Sequence, residues 1–421
     1  MDVFSAVQAG TCDLTSAEDR IRGAALGFAA RMVGEIMSGP LQKALGVDLP
    51  AGRREKRSCR ILSSVGHLDY TRWYARSAAG ERTFPADDAL GIISGCTPCA
   101  VQRLCQVGAL SPSYTEASRS LETLAGIQAS SNTIQRLTGI VGPAVKAWAQ
   151  RRAPATVQPG RDVAVCLQMD MTGVRLRKKY LKEVKGKKGE PKCRQIKVGV
   201  VFLLERCEDG LYHKVPDSSV HILSFDDVVD FASQLEKARK KLGVKASTKQ
   251  LIISDGAEWI WNIAKDRFKQ AIGILDFWHA AEHLSELCSF ACAKTDDAAE
   301  YFTAMRHTLK HKGVDAVIKH FEQLDVSRRK RKGIEKRLGY FRTHQDRMQY
   351  PLYQQDGWPI GSGEIEGACK SLIKQRTDLS GQRWSPDGAL NVLWVRALIK
   401  DGLYQLYWEQ TRTKQNQKTA A

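Results

Sequence analysis

No stretch of this chain approaches the ~18 consecutive apolar residues of a membrane-spanning helix, so no membrane partner is expected. The first residues lack a Lys/Arg-led apolar leader, and no secretory signal is expected either. Paired cysteine motifs are scarce. Eleven cysteines are scattered, an odd number, and Cys166, Cys288, Cys292 and Cys369 lie inside apolar segments. That usage fits reduced thiols in a cytosolic protein rather than a disulfide framework. The one C-x-x-C, Cys96-Thr97-Pro98-Cys99, has Cys105 beyond it and Cys59 and His67 upstream. Without a second clean pair, small core cysteines are favoured there over a zinc knuckle. Acidic residues are also in short supply, 46 Asp+Glu against 64 Lys+Arg, for a net charge of +18. Such an excess points to a polyanionic partner. At 421 residues the chain is long enough for two or three domains.

Residues 1–57 read as an N-terminal helical segment in which Ala24, Leu26, Phe28, Met32, Ile36 and Met37 recur at helical spacing before Gly39-Pro40. A basic run, Arg53-Arg54-Glu55-Lys56-Arg57, precedes a hairpin-like piece around residues 61–73. Residues 58–160 are assigned as a DNA-binding region. Within it, two amphipathic helices over 114–125 and 131–141, joined by a turn holding Gly126, make a helix-turn-helix candidate. Its second helix offers Asn132, Gln135 and Arg136 as base-reading side chains, with a generic helical hairpin as the plain alternative. The Pro/Gly-containing stretch 151–160 marks a domain boundary.

Residues 161–280 read as the first part of an α/β core. The stretch 163–172 alternates, with Val163, Val165, Leu167, Met169 and Met171 on one face and Cys166, Gln168 and Asp170 on the other. A nearly continuous apolar strand follows over 196–204, then strands over 220–225, 249–254 and 272–275, with a helix over 226–242. Three strands, a helix, a strand, a helix and a strand are the order of a ribonuclease-H-like α/β core. Between the first two strands lies a strongly basic connection from Arg175 to Lys197 that includes Lys185, Lys187 and Lys188. Residues 281–357 read as an all-helical insertion. Residues 358–421 complete the core with a helix carrying Glu366 and a polar tail expected to fray.

Asp170 and Asp255 each fall at a strand end, and Glu366 opens a later helix. Three carboxylates without a thiolate make a hard-oxygen site suited to two Mg²⁺ or Mn²⁺ ions. Two such ions serve in-line phosphodiester displacement. Singly, each acid has a structural reading as a cap, a turn or a solvated side chain. A second cluster, Asp276, His279 and His283, shares one helix face.

Four blocks, Gln168-Met-Asp170-Met-Thr-Gly, Ser254-Asp255-Gly-Ala-Glu-Trp-Ile-Trp261-Asn, Asp276-Phe-Trp-His279-Ala-Ala-Glu-His283-Leu and Gly361-Ser-Gly-Glu-Ile-Glu366-Gly, resemble the signature of bacterial insertion-sequence transposases of the ISKra type. These are DDE enzymes with the D-x-x-H element of the Mutator-like group. The resemblance spans residues 58–408 and includes Trp384 in Gly381-Gln-Arg-Trp-Ser. It implies that Asp170, Asp255 and Glu366, rather than Glu364, bind the metals. The partners it implies are double-stranded DNA, as terminal inverted repeats and target, and further copies of the chain in a homo-oligomer. It also implies a bacterial, cytoplasmic, nucleoid-associated setting. One departure is the absence of a cysteine pair before Phe84-Pro85, where Ala75–Arg82 holds none.

Asp276 and His279, with Trp278 and Trp259, are expected to position DNA beside the metals, the indoles by stacking on an unpaired base, with a core role on the helix after Asp255 as the alternative for one of Trp259 and Trp261. Two rivals are a DNA-binding protein without catalysis and a zinc metallopeptidase. The latter rests on His279-Ala-Ala-Glu282-His283, a short H-x-x-E-H match that leaves the basic run and both aspartates unexplained.

Overall fold

The computed structural model describes residues 3–45, 47, 53–76, 82–152, 162–181, 192–245, 248–292 and 295–420. It is a mixed α/β structure with two compact units, Met1–Trp148 with Asp387–Ala421, and Ala149–Pro386. Of the segment expected to complete the core, residues 358–386 therefore belong to the second unit and residues 387–421 to the first.

In the first unit a long helix, Leu14–Ser38, starts where Asp13 accepts the Ser16 N–H at 2.8 Å. Strands β1 (Arg53–Ser63) and β2 (Gly66–Arg76) pair as an antiparallel hairpin, extended by β3 (Arg82–Thr83). The basic run at 53–57 lies inside β1. Helix and hairpin meet closely: a Cβ on Gly34 would fall 2.3 Å from the Asp69 carbonyl oxygen, so only glycine fits there. Ala30, Met37, Ile61, Leu68 and Tyr70 fill the space around it.

Three helices follow, Pro98–Leu110, Tyr114–Ala125 and Ser131–Arg151. Gly126 ends the second in the left-handed region at φ 66°, and Ser130 Oγ caps the third by accepting the Thr133 N–H at 3.1 Å. The third helix was expected to stop near residue 141, yet it runs to Arg151 through Pro143, with Ile134, Leu137, Val141 and Val145 buried along it. The terminal residues also differ from expectation. Helix Tyr404–Ala420 replaces a frayed tail because its first turns are anchored. Tyr404 donates to the Gln102 carbonyl at 2.6 Å, and Tyr407 packs edge-on against Trp148 at 5.6 Å.

The second unit is built on a six-stranded sheet of β4 (Val163–Val174), β5 (Arg194–Arg206), β6 (Tyr212–Lys214), β7 (Val220–Ser224), β8 (Lys249–Ser254) and β9 (Ile272–Leu275). Its order is β6-β5-β4-β8-β9, with β7 also on β5. Strands β5, β6 and β7 join by antiparallel pairing, whereas β8 lies parallel to β4 and β9 parallel to β8. The clean in/out alternation expected of β4 is absent, since Ala164 to Met169 are all buried. Both faces are covered. Met169 pairs with Gly199, a Cβ on which would lie 2.8 Å from Leu235 of the Val228–Lys241 helix. The adjacent Gln168 must point to the opposite face, and there it meets Ile365.

The short β6 had no sequence signal of its own. From Phe277 to Gln355 the described residues are helical apart from short connections, with helices Phe277–Ala291, Thr295–Lys312, Val314–Glu322, Arg328–His344 and Tyr350–Gln355.

Candidate active site

Three acids lie along adjacent strands of this sheet, Asp170 within β4 and Asp255 and Asp276 directly after β8 and β9. The parallel register pairs Leu167 of β4 with Ile252 of β8, and Asp170 and Asp255 each lie three residues beyond. Parallel pairing keeps such partners on one face, so the two carboxylates are neighbours. Ser254, fully buried, ties the edge together. Its hydroxyl accepts the Met169 N–H at 3.0 Å and its carbonyl accepts the Asp276 N–H at 2.8 Å. One serine thus fixes the backbone at the approach to Asp170, to Asp255 and to Asp276.

Burial pushes the Asp170 carboxyl above the ordinary value, and the charge of Asp255 adds to the rise. Opposing this, the Met171 N–H donates to it at 2.6 Å, the Cys369 thiol donates at 3.3 Å, and His279 contributes charge. Burial and the Asp170 charge in turn hold the Cys369 thiol far above its usual range, so it stays a donor. Sequence reasoning had placed Cys369 among apolar fillers. Its only signal was a position three residues after Glu366. Asp255 accepts the Ala257 N–H at 3.0 Å, and its carbonyl takes the Trp261 indole N–H at 2.9 Å.

The segment bearing Glu366 lies over the same face as Asp170. Gln168 Oε1 accepts the buried Ile365 N–H at 3.0 Å. Glu364 and Glu366 diverge on either side of Ile365. Glu364 pairs with Lys214 of β6 at 2.5 Å, and Glu366 pairs with Lys370 at 3.0 Å. Lys370 also feels the charge of Glu282, on the helix that carries His279. Beyond Gly367 the backbone widens into a π-helix, Ala368–Lys374, which contains both Cys369 and Lys370.

Asp276 is 1% exposed and saturated by backbone. One carboxylate oxygen caps the next helix by accepting the His279 N–H at 2.7 Å, and the other accepts the Ser362 N–H. With the Phe277 N–H donating to the Ile360 carbonyl at 2.9 Å, Asp276 binds the end of β9 to the loop that delivers Glu366.

His279 is partly exposed, 3.7 Å from Glu282 and 5.1 Å ring to ring from His283. His283 stacks on Tyr340 at 3.8 Å, and burial lowers its pKa. Trp278 is 58% exposed beside Gly361, open to a ligand. Trp259 instead packs on Phe231 at 5.9 Å, the residue that covers the Gly199 face. That is the face opposite Asp170. Trp384 is buried and bridges to Leu176.

Asn132, Gln135 and Arg136, in the first unit, are all exposed on the helix that begins at Ser131. Lys185, Lys187 and Lys188 lie outside the described residues. At the start of that basic connection, Arg175 is paired with Asp378 at 2.7 Å.

Among the described residues no three His, Cys, Asp or Glu side chains stand together as a metal-holding group. The donors nevertheless suit a hard cation in part. Asp170 and Asp255 are adjacent oxygen donors whose mutual repulsion a divalent ion relieves, while Glu366 is paired with Lys370. Cys96 is buried and Cys99 exposed, and both are free thiols.

No protein-family profile matches the chain, and no curated protein matches it. Among solved structures it is similar to the "Drosophila P element transposase strand transfer complex", at 9% identity and a TM-score of 0.30, over 76% of this chain and 82% of that one. A likeness of that size carries no argument about chemistry. No helix among the described residues is long and apolar enough to cross a membrane.

Proposed function

We propose that the chain is a metal-dependent DNA transposase with a ribonuclease-H-like core, cutting phosphodiesters at element ends and joining them to target DNA. The observation that carries this reading is the closeness of Asp170 and Asp255, each three residues beyond the last parallel pair of β4 and β8, beneath the segment that bears Glu366. The strand order, four strands joined by antiparallel pairing followed by two parallel ones, supports the core assignment. The charge of +18 supports a polyanionic substrate.

Asp170 and Asp255 would hold divalent ions, Mg²⁺ or Mn²⁺, with Glu366 joining them when it leaves Lys370. Such ions supply Lewis acidity and a deprotonated oxygen nucleophile at neutral pH. The protein's own part is preorganisation. Ser254 fixes the three strand ends, Gln168 fixes the Glu366 segment against β4, and Asp276 fixes the loop before it. Trp278 offers an exposed indole on which an unpaired base stacks. Glu366 is preferred over Glu364 because Glu364 faces Lys214 at the β6 side of the sheet, away from Asp255. DNA reading is assigned to Asn132, Gln135 and Arg136 on the helix-turn-helix candidate, and backbone contact to Lys185, Lys187 and Lys188.

One observation favours a second reading, DNA binding without cleavage: Glu366 is ion-paired rather than converging on the two aspartates. The zinc-peptidase reading has no such support, since the His283 ring is stacked on Tyr340. A plasmid-nicking assay with Mg²⁺ or Mn²⁺ decides between the first two. Asp170→Asn, Asp255→Asn and Glu366→Gln should each abolish nicking at unchanged DNA affinity. Wild-type protein that binds DNA but nicks none with either ion would establish the second.

A further inference from the structure

Tyr340 comes from the Arg328–His344 helix, more than eighty residues from either aspartate, and its hydroxyl is the unexplained group of this site. That oxygen is buried and has no hydrogen-bond partner. The ring is clamped: His283 stacks on one side at 3.8 Å, His344 lies at 4.8 Å and His279 at 6.4 Å. The hydroxyl faces Gly256, directly after Asp255. A Cβ there would fall 2.9 Å from Tyr340 Oη and 3.2 Å from His344 Nε2, so glycine is what lets the phenol approach. Leaving a buried hydroxyl unpaired is costly, and a folded chain rarely keeps such a group without a use for it. Burial, reinforced by the charges of Asp255, Asp276 and Glu282, keeps the phenol protonated and therefore a donor at any physiological pH.

We propose that Tyr340 is a substrate-binding residue whose hydroxyl donates to a non-bridging oxygen of the phosphodiester held at the Asp170–Asp255 pair. This rests on the nuclease reading above and adds a residue to it. The acidic surroundings exclude an acceptor anion on its own. They admit one whose charge is offset by a divalent ion on the aspartates, which is the condition under which a phosphodiester would enter. His279, His283 and His344 then act as the wall that holds the phenol in one orientation.

The test is Tyr340→Phe, which removes only the oxygen. The free variant should melt no lower than wild type, because the hydroxyl has no partner to lose. In Ca²⁺, dimethyl phosphate should raise the melting temperature of wild type and leave the variant unmoved, while neutral trimethyl phosphate should move neither. With Mn²⁺, plasmid nicking should fall ~10–100-fold at unchanged plasmid affinity, the span for one hydrogen bond to a charged group. Equal dimethyl phosphate shifts in the two proteins would overturn the assignment, as would undiminished nicking by the variant. A lower melting temperature for the free variant would reassign the hydroxyl to structure. Wild type that never nicks plasmid removes the nuclease reading, yet the dimethyl phosphate arm still decides Tyr340.

Discussion

Gln168 and Ile365, 197 residues apart in sequence, are joined by a buried hydrogen bond of 3.0 Å from the Ile365 amide to the Gln168 side-chain oxygen. Gln168 is two residues before Asp170 and Ile365 one before Glu366, so this bond sets the distance between the first and third acids. Gln168→Leu strands a buried N–H and should lower stability by about 1–3 kcal/mol, read from denaturant midpoints. Nicking should fall further than stability explains, whereas Glu364→Gln should leave it intact.

Asp170 is raised above its ordinary value chiefly by burial. A carboxyl whose folded pKa is raised binds protons more tightly in the native state, so it opposes folding once pH exceeds the folded pKa and is neutral below the unfolded one. Asp170→Asn should therefore unfold at higher denaturant than wild type near neutrality. That advantage should fade as the pH drops below the ordinary carboxylate range. On the proposed function the same variant should be inactive, exchanging stability for function. Equal midpoints at neutral pH would show that the buried charge is fully compensated.

Asp276 satisfies two backbone amides with two oxygens. Asp276→Ala should cost about 1–2 kcal/mol for the lost cap and a further ~1–3 kcal/mol for the stranded Ser362 amide. Asp276→Asn should cost nearly as much as the alanine change, because one oxygen becomes an NH₂ facing an N–H. A thermal-melt series of the two variants checks this, and an asparagine variant as stable as wild type would refute it.

Asp255 and Asp276 were legible in the sequence because β8 and β9 are apolar runs followed directly by an Asp, whereas Asp170, expected at a strand end, lies inside β4, which continues to Val174 along β5. What could not be read were partners far apart along the chain. Gln168 looked like the polar side of an alternating strand, Cys369 like core filler, and Tyr340 carried no signal within the helical insertion. Trp259 illustrates the converse. Its place next to a catalytic block suggested DNA stacking, but helical rotation carries it to the Phe231 side of the sheet.

The two tryptophans should separate cleanly. Trp278→Ala, at an exposed position, should leave stability within about 0.5 kcal/mol. It should weaken binding of DNA with an unpaired end by ~1–3 kcal/mol. Trp259→Ala should instead lower stability by up to about 3–5 kcal/mol. Calorimetric melts and fluorescence anisotropy on one frayed duplex measure both, and the reverse pattern would exchange their roles.

Lys370 and Glu366 form a partly exposed i,i+4 pair. Lys370→Ala should change stability by less than about 1 kcal/mol. By freeing Glu366 it should lower the Mn²⁺ concentration that half-activates nicking. A higher requirement would mean that the lysine contacts DNA and not merely the glutamate.

The π-helix at Ala368–Lys374 gives these two contacts a common mechanical basis. Cys369 holds Asp170 and Lys370 holds Glu366 from successive positions in one over-wide turn. Tightening that turn to the ordinary 3.6 residues swings both side chains about the axis together. The contacts made to Asp170 and to Glu366 therefore depend on one and the same piece of backbone.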